Sequence, residues 1–345
     1  RAIASLDFLP ISPTRMNAGT PLGQLSACFV LPVEDSMEGI FETLKNAALI
    51  QRTGGGTGFA FSRLRPSGAV ISGTGGVTPG PVSFMRIFDR TTENIKLGGK
   101  RRGANMGVLR VDHPDIREFV AAKLDGVTLR NFNLSVGATD AFMEAAERRG
   151  TLELRDPRDG RKAGELNAGE LFDEIVEAAW RTGDPGLVFL DTVNRSNPTP
   201  QLGEIEATNP CGEIPLLPYE SCNLGSINLM HMVREEGGEP AVDWDRLAGL
   251  VHTAVRFLDD VIEVSRYPIP EIESITRRNR KIGLGVMGFA EMLIRLGISY
   301  DSDAAVDLAD RLMGFIAAAA DEASAALAEE RGVFPNWGAS VHAAR

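Results

Sequence analysis

The sequence predicts an α/β protein with a largely parallel sheet. Apolar strand candidates alternate with amphipathic helices along the chain, which is typical of βαβ units. The 345 residues are 43% hydrophobic and 24% charged, a composition that suits one large or two ordinary globular domains and excludes a disordered chain. No apolar run approaches the roughly 20 residues that span a bilayer, so the sequence predicts no membrane contact.

The first predicted strand is the buried run LSACFVLPV at residues 25–33, and a helix is predicted from Ser36 to Gln51. Asp35 and, three residues later, Glu38 resemble a capping box at the start of this helix. Its apolar face is predicted by residues at helical spacing, namely Ile40, Leu44, and Ala47 or Ala48.

Further strands are predicted at three apolar segments, GVLRVD (107–112), NFNLSVGA (131–138) and GLVFLD (186–191). A helix marked by Leu171, Ile175 and Ala179 precedes the last of them. Two long helices are predicted, one after Asp243 and one after Ser302. The first of these has an apolar stripe formed by Leu247, Leu250, Val251, Ala254, Leu258 and Val261.

Three irregular segments interrupt this pattern: RTGGGTGFAFS (52–62) with SGTGGVTPGP (72–81), KLGGKRRGANMG (96–107), and a cysteine-containing segment at 207–229. Long irregular segments within a compact domain are usually functional. GLGVMG at 283–288 fits a dinucleotide-binding pattern, but RRNRK precedes it instead of a strand, so we interpret its glycines as sites of close helix packing.

Charge and cysteine content narrow the function further. The net charge of −11 argues against a nucleic acid polymer as partner, because binding to phosphate backbones needs an excess of cations. Three cysteines are too few for a disulfide framework and favour a reducing cytoplasm. Without a CxxC motif or paired histidines, the sequence predicts no protein metal site.

The segment NPCGE at 209–213 is the strongest candidate for chemistry. Pro210 and Gly212 favour a tight loop that presents the amide of Asn209, the thiol of Cys211 and the carboxylate of Glu213. A nearby carboxylate disfavours a thiolate, so this thiol suits hydrogen-atom transfer better than nucleophilic attack. The simpler alternative is that the cysteines are small buried hydrophobes.

NPCGE, followed by ESCNLGSINL, resembles the catalytic subunit of ribonucleotide reductases, and most of all the adenosylcobalamin-dependent class II type. The resemblance extends through PTRMNAGT, LSACFVLPVEDS, GGGTGFAFSRLR, PGPVSFMRIFDRTTENIKLGGKRRGANMG, RYPIP and RKIGLGVMGFAEML. It implies a ten-stranded α/β barrel over residues 1–345, incomplete at its C-terminal side, with residues 207–222 as a central finger loop.

The resemblance also implies the roles of five residues. Cys211 would carry the thiyl radical that abstracts the ribose 3′ hydrogen, with adenosylcobalamin as the radical source. Glu213 would be the base on the 3′-hydroxyl, and Asn209 would orient the ribose hydroxyls. Cys28 and Cys222 would supply the reducing equivalents as a redox-active pair, which a thioredoxin-like or C-terminal dithiol resets.

Binding residues follow from the same resemblance. The substrate positions are Thr14, Ala27, Cys28, Gly56, Asn209, Pro210, Cys211, Gly212 and Glu213. Many family members have Ser where this chain has Ala27, so a backbone contact is expected there. Asp35, Arg65, loop 73–80 and loop 98–105 match the site of a deoxynucleotide or ATP effector, and Arg102 would link effector to substrate.

The implied protein is a cytoplasmic, allosteric homodimer that reduces ribonucleotides to DNA precursors. Two alternatives stay open: a class I large subunit, which receives its radical from a metal-containing partner, and a non-catalytic nucleotide-binding relative. A redox protein exchanging Cys211 and Cys222 leaves Asn209 and Glu213 unexplained. Because the sequence lacks an initiator Met and stops before the family's phosphate-binding loop, we expect it to belong to a longer chain.

Overall fold

The computed structural model describes residues 1–71, 75–97 and 101–344, and only the backbone of residues 96, 97, 101, 102 and 344. Parts of the two predicted effector loops, residues 73–74 and 98–100, therefore lie outside the described residues, as does the side chain of Arg102. The chain divides into two compact units. Unit 1 comprises Arg1–Ala27, Cys222–Tyr267 and Glu273–Trp337; unit 2 comprises Cys28–Ser221, Pro268–Ile272 and Gly338–Arg345.

The strands are β1 (Phe8–Pro10), β2 (Cys28–Pro32), β3 (Gly56–Ala60), β4 (Lys96–Leu97), β5 (Arg101–Arg102), β6 (Asn105–Arg110), β7 (Phe132–Ala138), β8 (Thr151–Arg155), β9 (Lys162–Asn167), β10 (Gly186–Phe189), β11 (Ala207–Thr208), β12 (Pro215–Leu216), β13 (Ser221–Asn228), β14 (Val233–Glu236), β15 (Glu239–Val242) and β16 (Ile282–Met287). The helices are α1 (Ser12–Asn17), α2 (Met37–Arg52), α3 (Pro81–Asn94), α4 (Ile116–Ala121), α5 (Asp140–Glu147), α6 (Ala168–Thr182), α7 (Leu190–Arg195), α8 (Trp244–Val264), α9 (Pro270–Asn279), α10 (Phe289–Leu296) and α11 (Asp303–Arg331).

Unit 2 is built on a parallel sheet with the order β2-β3-β6-β7-β10. Helices α2, α3 and α4 connect successive strands, and α5 and α6 lie between β7 and β10, so the parallel sheet is built from βαβ connections. All five residues of β2 and of β3 are buried, as expected for strands covered on both faces. The α/β prediction is therefore confirmed.

Aromatic side chains fill the core of unit 2. Phe59 on β3 contacts Phe88 of α3 edge-to-face with ring centroids 5.1 Å apart, and Phe61 contacts the same ring at 5.6 Å. Phe132 of β7 lies 6.3 Å from Phe59. Such pairs stabilise a fold beyond simple burial by about 0.5–1.5 kcal/mol each, and here they join β3 to its neighbours.

Unit 1 has a smaller sheet and a helical layer. Within it β13 pairs antiparallel with β1 and parallel with β16. Its core contains the predicted apolar stripe of α8 from Leu247 to Leu258, together with buried residues of α11 such as Leu312 and Ile316. Both long helices begin where predicted, since Asp243 and Ser302 are their N-caps.

Three predictions about local structure are wrong. RTGGGTGFAFS contains a central strand, β3, and GLGVMG lies largely within β16, so its glycines belong to a strand packed against α8. The N-cap of α2 is Ser36, whose hydroxyl accepts a hydrogen bond from the N–H of Gly39 at 3.0 Å. Asp35 instead binds Arg65, which removes it from the predicted capping box.

Ser36→Ala should destabilise the first turn of α2 by roughly 0.5–2 kcal/mol. The N–H of Gly39 has no acceptor within the helix, and it would lose the Ser36 hydroxyl that it now binds. Hydrogen exchange should show faster exchange of the Gly39 amide. Ser324→Ala is the matched control, since Ser324 is exposed in the middle of α11 and caps nothing. Unchanged Gly39 exchange in Ser36→Ala would contradict this assignment of the cap.

None of the helices within residues 1–71, 75–97 and 101–344 combines the length and apolarity needed to cross a membrane.

Candidate active site

The NPCGE segment forms the tip of a short hairpin in unit 2. Strands β11 and β12 pair antiparallel, and the N–H of Asn209 donates to the carbonyl of Ile214 at 3.2 Å. The N–H of Gly212 donates to the carbonyl of Asn209 at 3.0 Å, and Gly212 has a φ of +85° that only glycine adopts readily. Cys211, Gly212 and Glu213 are exposed at this tip.

Two glycines of β3 allow the hairpin to lie directly on the parallel sheet. A Cβ on Gly58 would lie only 1.7 Å from the carbonyl oxygen of Thr208, and a Cβ on Gly56 would lie 2.7 Å from Cγ of Pro210. Residues two apart on a strand face the same side, so the two glycines form one patch without side chains on that face of the sheet. The glycine-rich sequence is thus a docking surface for the hairpin.

Asn209 joins the hairpin to β2. Its side chain is only 1% exposed, and its Nδ2 donates to Sγ of Cys28 at 3.1 Å. Its Oδ1 accepts the N–H of Ile214 at 3.1 Å, which fixes the orientation of the amide. The three predicted groups therefore do not point to the same place. The amide of Asn209 is buried against Cys28, while Cys211 and Glu213 are exposed.

Asn133, which was not among the predicted site residues, anchors the hairpin to β7. Its Nδ2 donates to the carbonyl of Pro210 at 2.6 Å, immediately before Cys211. Asn133 lies between the buried residues Phe132 and Leu134 of a central strand. Asn133 is the one exposed residue of this otherwise buried strand, so a polar side chain there indicates a polar contact on that face of the sheet.

A turn at residues 217–220 follows the hairpin. The N–H of Glu220 donates to the carbonyl of Leu217 at 3.0 Å, and the buried carboxylate of Glu220 accepts the N–H of Leu217 at 2.7 Å. Pro218 and the positive φ of Tyr219, +65°, follow the pattern of a type II turn, although Tyr is strained in that position. Burial, with the carboxylates of Glu271, Glu34 and Glu42, raises the pKa of the Tyr219 phenol.

The other predicted substrate and redox residues belong to unit 1. Thr14 on α1 is buried, and its hydroxyl donates to the carbonyl of Leu25 at 2.8 Å. Ala27 is also buried. Cys222 is 2% exposed on β13, and its Sγ donates to the carbonyl of Asn223 at 3.3 Å. Unit 2 brings together Cys28, Gly56 and residues 209–213.

Two of the predicted effector residues meet at the start of α2. Nε of Arg65 donates to Oδ2 of Asp35 at 2.7 Å, and Nη2 donates to the backbone carbonyl of Asp35 at 3.2 Å. The N–H of Arg65 also donates to Oδ1 of Asp35 at 3.2 Å. This charge-assisted pair fixes the loop after β3 against the helix.

Within the part of the chain that the structure describes, no three His, Cys, Asp or Glu side chains gather in a group that could hold a metal ion.

These features define an α/β protein in which a parallel sheet carries a cysteine-bearing hairpin. The family described as ribonucleotide reductase, barrel domain, matches residues 26–345. The chain therefore belongs to the ribonucleotide reductase family, which confirms the resemblance found in the sequence.

Three relatives show how the chain compares with known proteins. The vitamin B12-dependent ribonucleoside-diphosphate reductase of Mycobacterium tuberculosis is 60% identical over 334 residues, which are 96% of this chain and 48% of that protein. The protein of the same name from Thermoplasma acidophilum is 57% identical over 97% of this chain and 43% of its own length. The ribonucleoside-diphosphate reductase large chain of Neurospora crassa is 33% identical over 96% of this chain and 39% of its own length. The chain thus spans less than half the length of these relatives.

Proposed function

We propose that the protein containing this chain reduces ribonucleotides to 2′-deoxyribonucleotides through a thiyl radical, and so supplies precursors for DNA synthesis. The observation that carries the proposal is the docked hairpin, which exposes Cys211 at its tip while Asn209 bonds to Cys28. The names of the relatives from M. tuberculosis and T. acidophilum support a ribonucleoside diphosphate as substrate.

Three side chains of the hairpin have separate roles in this reaction. The Cys211 thiyl removes the 3′ hydrogen of the ribose, and Glu213 accepts the proton of the 3′-hydroxyl. A proton transfer of this kind is worth roughly 10²–10⁴-fold in rate. An amide has two N–H donors and two acceptor lone pairs, and Cys28 and Ile214 occupy one of each at Asn209. Asn209 binds the ribose hydroxyls with the other N–H and the other lone pair.

Cys28 and Cys222 provide the two electrons and two protons that turn the 2′-hydroxyl into water and a C–H bond, and they become a disulfide. Close to Cys28, the backbone of Val30 accepts the N–H of Tyr219 at 2.8 Å and donates to the carbonyl of Glu220 at 3.2 Å, which joins β2 to the turn at residues 217–220. A thioredoxin-like dithiol then restores the pair.

The remaining substrate contacts are those of Thr14, Ala27, Gly56, Pro210 and Gly212. Gly56 and Gly212 have no side chain, so they contact the substrate through their backbone groups. Ala27 also contributes through its backbone. Thr14 keeps an acceptor lone pair on the hydroxyl that donates to Leu25.

The hairpin tip fits adenosylcobalamin as the radical source. Cys211 is exposed, and a Cβ added to the neighbouring Gly212 would meet no atom of the described residues within 4 Å. When bound, adenosylcobalamin supplies the radical chemistry that removes the hydrogen atom of the Cys211 thiol. Cys211 would react with the bound group, and Asn133 would hold the adjoining carbonyl of Pro210 in place.

The proposal includes the architecture and regulation that the resemblance implies. Residues 1–345 form part of a ten-stranded barrel with residues 207–222 as its finger loop, supported by the five parallel strands of unit 2 and the docked hairpin. Asp35, Arg65 and Arg102 bind a deoxynucleotide or ATP effector, supported by the Asp35–Arg65 contact at the start of α2. The protein acts as a cytoplasmic homodimer.

A turnover assay of the full-length protein tests this function. Ribonucleoside diphosphates and triphosphates are each incubated with a dithiol, with and without adenosylcobalamin, and deoxynucleotides are measured. We expect product only when adenosylcobalamin is present. Reduction that needs a metal-containing protein partner instead would identify a class I subunit, and nucleotide binding without reduction would identify a non-catalytic relative.

One turnover without external reductant should leave a disulfide between Cys28 and Cys222 and a thiol at Cys211. Peptide mapping by mass spectrometry after rapid alkylation measures this directly. The control is the same incubation without adenosylcobalamin, in which all three thiols should be alkylated. A product that joins Cys211 to Cys222 would mean that the roles of the cysteines are different.

A further inference from the structure

Asn133, which holds the hairpin through the carbonyl of Pro210, lies where β7 extends beyond its neighbour β10. The pairing of these two strands begins at Gly186 opposite Ser135. Residues 132–134 of β7 therefore precede the start of β10, and the backbone groups on that edge need other partners. A buried N–H or C=O without a partner is costly, so the question is what takes the place of the strand.

A lysine and an aspartate supply these partners. Nζ of Lys123 donates to the carbonyl of Phe132 at 2.6 Å, and Oδ1 of Asp184 accepts the N–H of Leu134 at 2.8 Å. Nζ of Lys123 also donates to Oδ2 of Asp184 at 2.6 Å. The three contacts close a ring that encloses the backbone of Asn133.

The pairing of β7 with β6 leaves these two backbone groups on the opposite edge. In a parallel ladder, residues two apart turn their backbone groups to the same neighbour. The carbonyl of Gly137 accepts the N–H of Val111 on the β6 side at 3.0 Å. The odd-numbered residues of β7 therefore bond toward β6, whereas Phe132 and Leu134 face the edge that Lys123 and Asp184 cover.

The ion pair is held away from water and is fixed at its base. The side chains of Lys123 and Asp184 are only 18% and 14% exposed, and ion pairs strengthen as water is excluded. The N–H of Asp184 donates to Oγ1 of Thr182 at 3.2 Å, at the end of α6. The pair is thus a fixed support for β7.

We propose that Lys123 and Asp184 are positioning residues for the hairpin that carries Cys211. This inference rests on the proposed function. The pair fixes the backbone on both sides of Asn133, whose amide then holds the carbonyl of Pro210. That carbonyl belongs to the planar peptide bond with Cys211, so turning it would also move the cysteine.

Asn133 depends on this support because it is the one exposed residue of β7. Core packing does not fix an exposed side chain, so the place of its amide follows from the backbone that carries it. Misplacing reacting groups by about 1 Å can cost roughly 10²-fold in rate. Lys123 and Asp184 act through Asn133, without contacting the reacting atoms themselves.

Lys123→Met in the full-length protein tests the inference, because it keeps the length of the side chain and removes both of its hydrogen bonds. We expect kcat for ribonucleotide reduction to fall by about tenfold or more, with KM within about threefold of wild type. Lys162→Met is the matched control. Its Nζ also lies 2.6 Å from a carboxylate, that of Glu165, but β9 pairs with β8 and not with β7. Its kcat should stay within about twofold of wild type.

A double-mutant cycle with Asn133→Ala separates positioning from a general loss of stability. If Lys123 acts through Asn133, adding Lys123→Met to Asn133→Ala should lower kcat by no more than about threefold further. A merely structural role would instead multiply the two losses. Multiplied losses, or a kcat of Lys123→Met equal to wild type, would overturn the inference.

Hydrogen exchange gives a readout that needs neither substrate nor adenosylcobalamin. In Lys123→Met the amide of Gly212, which donates to the carbonyl of Asn209 at the hairpin tip, should exchange at least about threefold faster. The amide of Val111 reports on the far end of β7 and should keep its protection, which shows that the sheet is still folded.

Asp184→Asn is a milder second variant for the same measurement. Its side-chain oxygen can still accept the N–H of Leu134, but its NH₂ group would face the ammonium of Lys123. Gly212 should again exchange faster, to a smaller extent. Unchanged exchange of Gly212 in both variants would overturn the inference even if the protein reduced ribonucleotides, and faster exchange would support it even if the protein did not.

Discussion

Cys211→Ser should abolish ribonucleotide reduction in the full-length protein while nucleotide binding stays nearly unchanged. An O–H bond is stronger than an S–H bond, so a serine cannot give up its hydrogen atom readily to a carbon-centred radical. The side chain is exposed at the hairpin tip, so exchanging sulfur for oxygen disturbs no packed core. The loss should therefore appear in kcat.

Turnover with adenosylcobalamin and equilibrium binding of the substrate nucleotide measure the two effects separately. Hydrogen exchange at Ile214 is the folding control, because its N–H binds Asn209 only when the hairpin is formed. More than a few per cent of wild-type turnover in Cys211→Ser would show that another residue carries the radical.

Gly58→Ala should reduce turnover by at least about 10²-fold, because misplacing reacting groups by about 1 Å costs this much. The new methyl carbon would lie 1.7 Å from the carbonyl oxygen of Thr208, whereas real Cβ contacts stay above 3.0 Å. The clash is with backbone, so the hairpin itself must move. Overpacking of this kind also costs roughly 1–3 kcal/mol in stability.

Gly164→Ala is the matched control, since it adds the same methyl group to a strand where the nearest atom, Cδ1 of Leu154, is 3.7 Å away. Turnover and the free energy of unfolding should stay close to wild type in this variant. Lifting of the hairpin in Gly58→Ala should also expose Cys28 to faster alkylation. If Gly58→Ala retained a third of wild-type turnover, the docking of the hairpin on β3 would not matter for the reaction.

The sequence predicted the parallel sheet well because buried parallel strands are continuous apolar runs. Four strand predictions, from LSACFVLPV to GLVFLD, correspond to β2, β6, β7 and β10, and the helices capped by Asp243 and Ser302 begin as predicted. In each case local composition and tertiary burial favour the same structure.

The failures share a physical cause, which is that a tertiary partner decides the role of a residue. Glycine weakens a strand, so the sequence GTGFA predicts an irregular segment, although the docked hairpin requires positions without side chains at Gly56 and Gly58. Asp35 and Ser36 are both good caps, and only the distant Arg65 determines which one is used. The contact of Asn133 with Pro210 spans 77 residues, beyond the reach of any local pattern.

The motif NPCGE identified the candidate site, but it could not show how the site is arranged. Asn209 and Cys211 are two residues apart, yet one is buried and the other exposed. The hairpin turn between them separates the side that holds Cys28 from the side that meets solvent.

This separation has a consequence for chemical damage. Oxidants act on sulfur that they can reach, and progression from sulfenic to sulfinic and sulfonic acid becomes irreversible. Of the three thiols, Cys211 alone is exposed, while Cys28 and Cys222 are buried. Peroxide should therefore reach the thiol of Cys211, the residue proposed to abstract hydrogen, before the other two. A preparation would then lose the proposed ribonucleotide reduction while Cys28 and Cys222 still react normally with reductants.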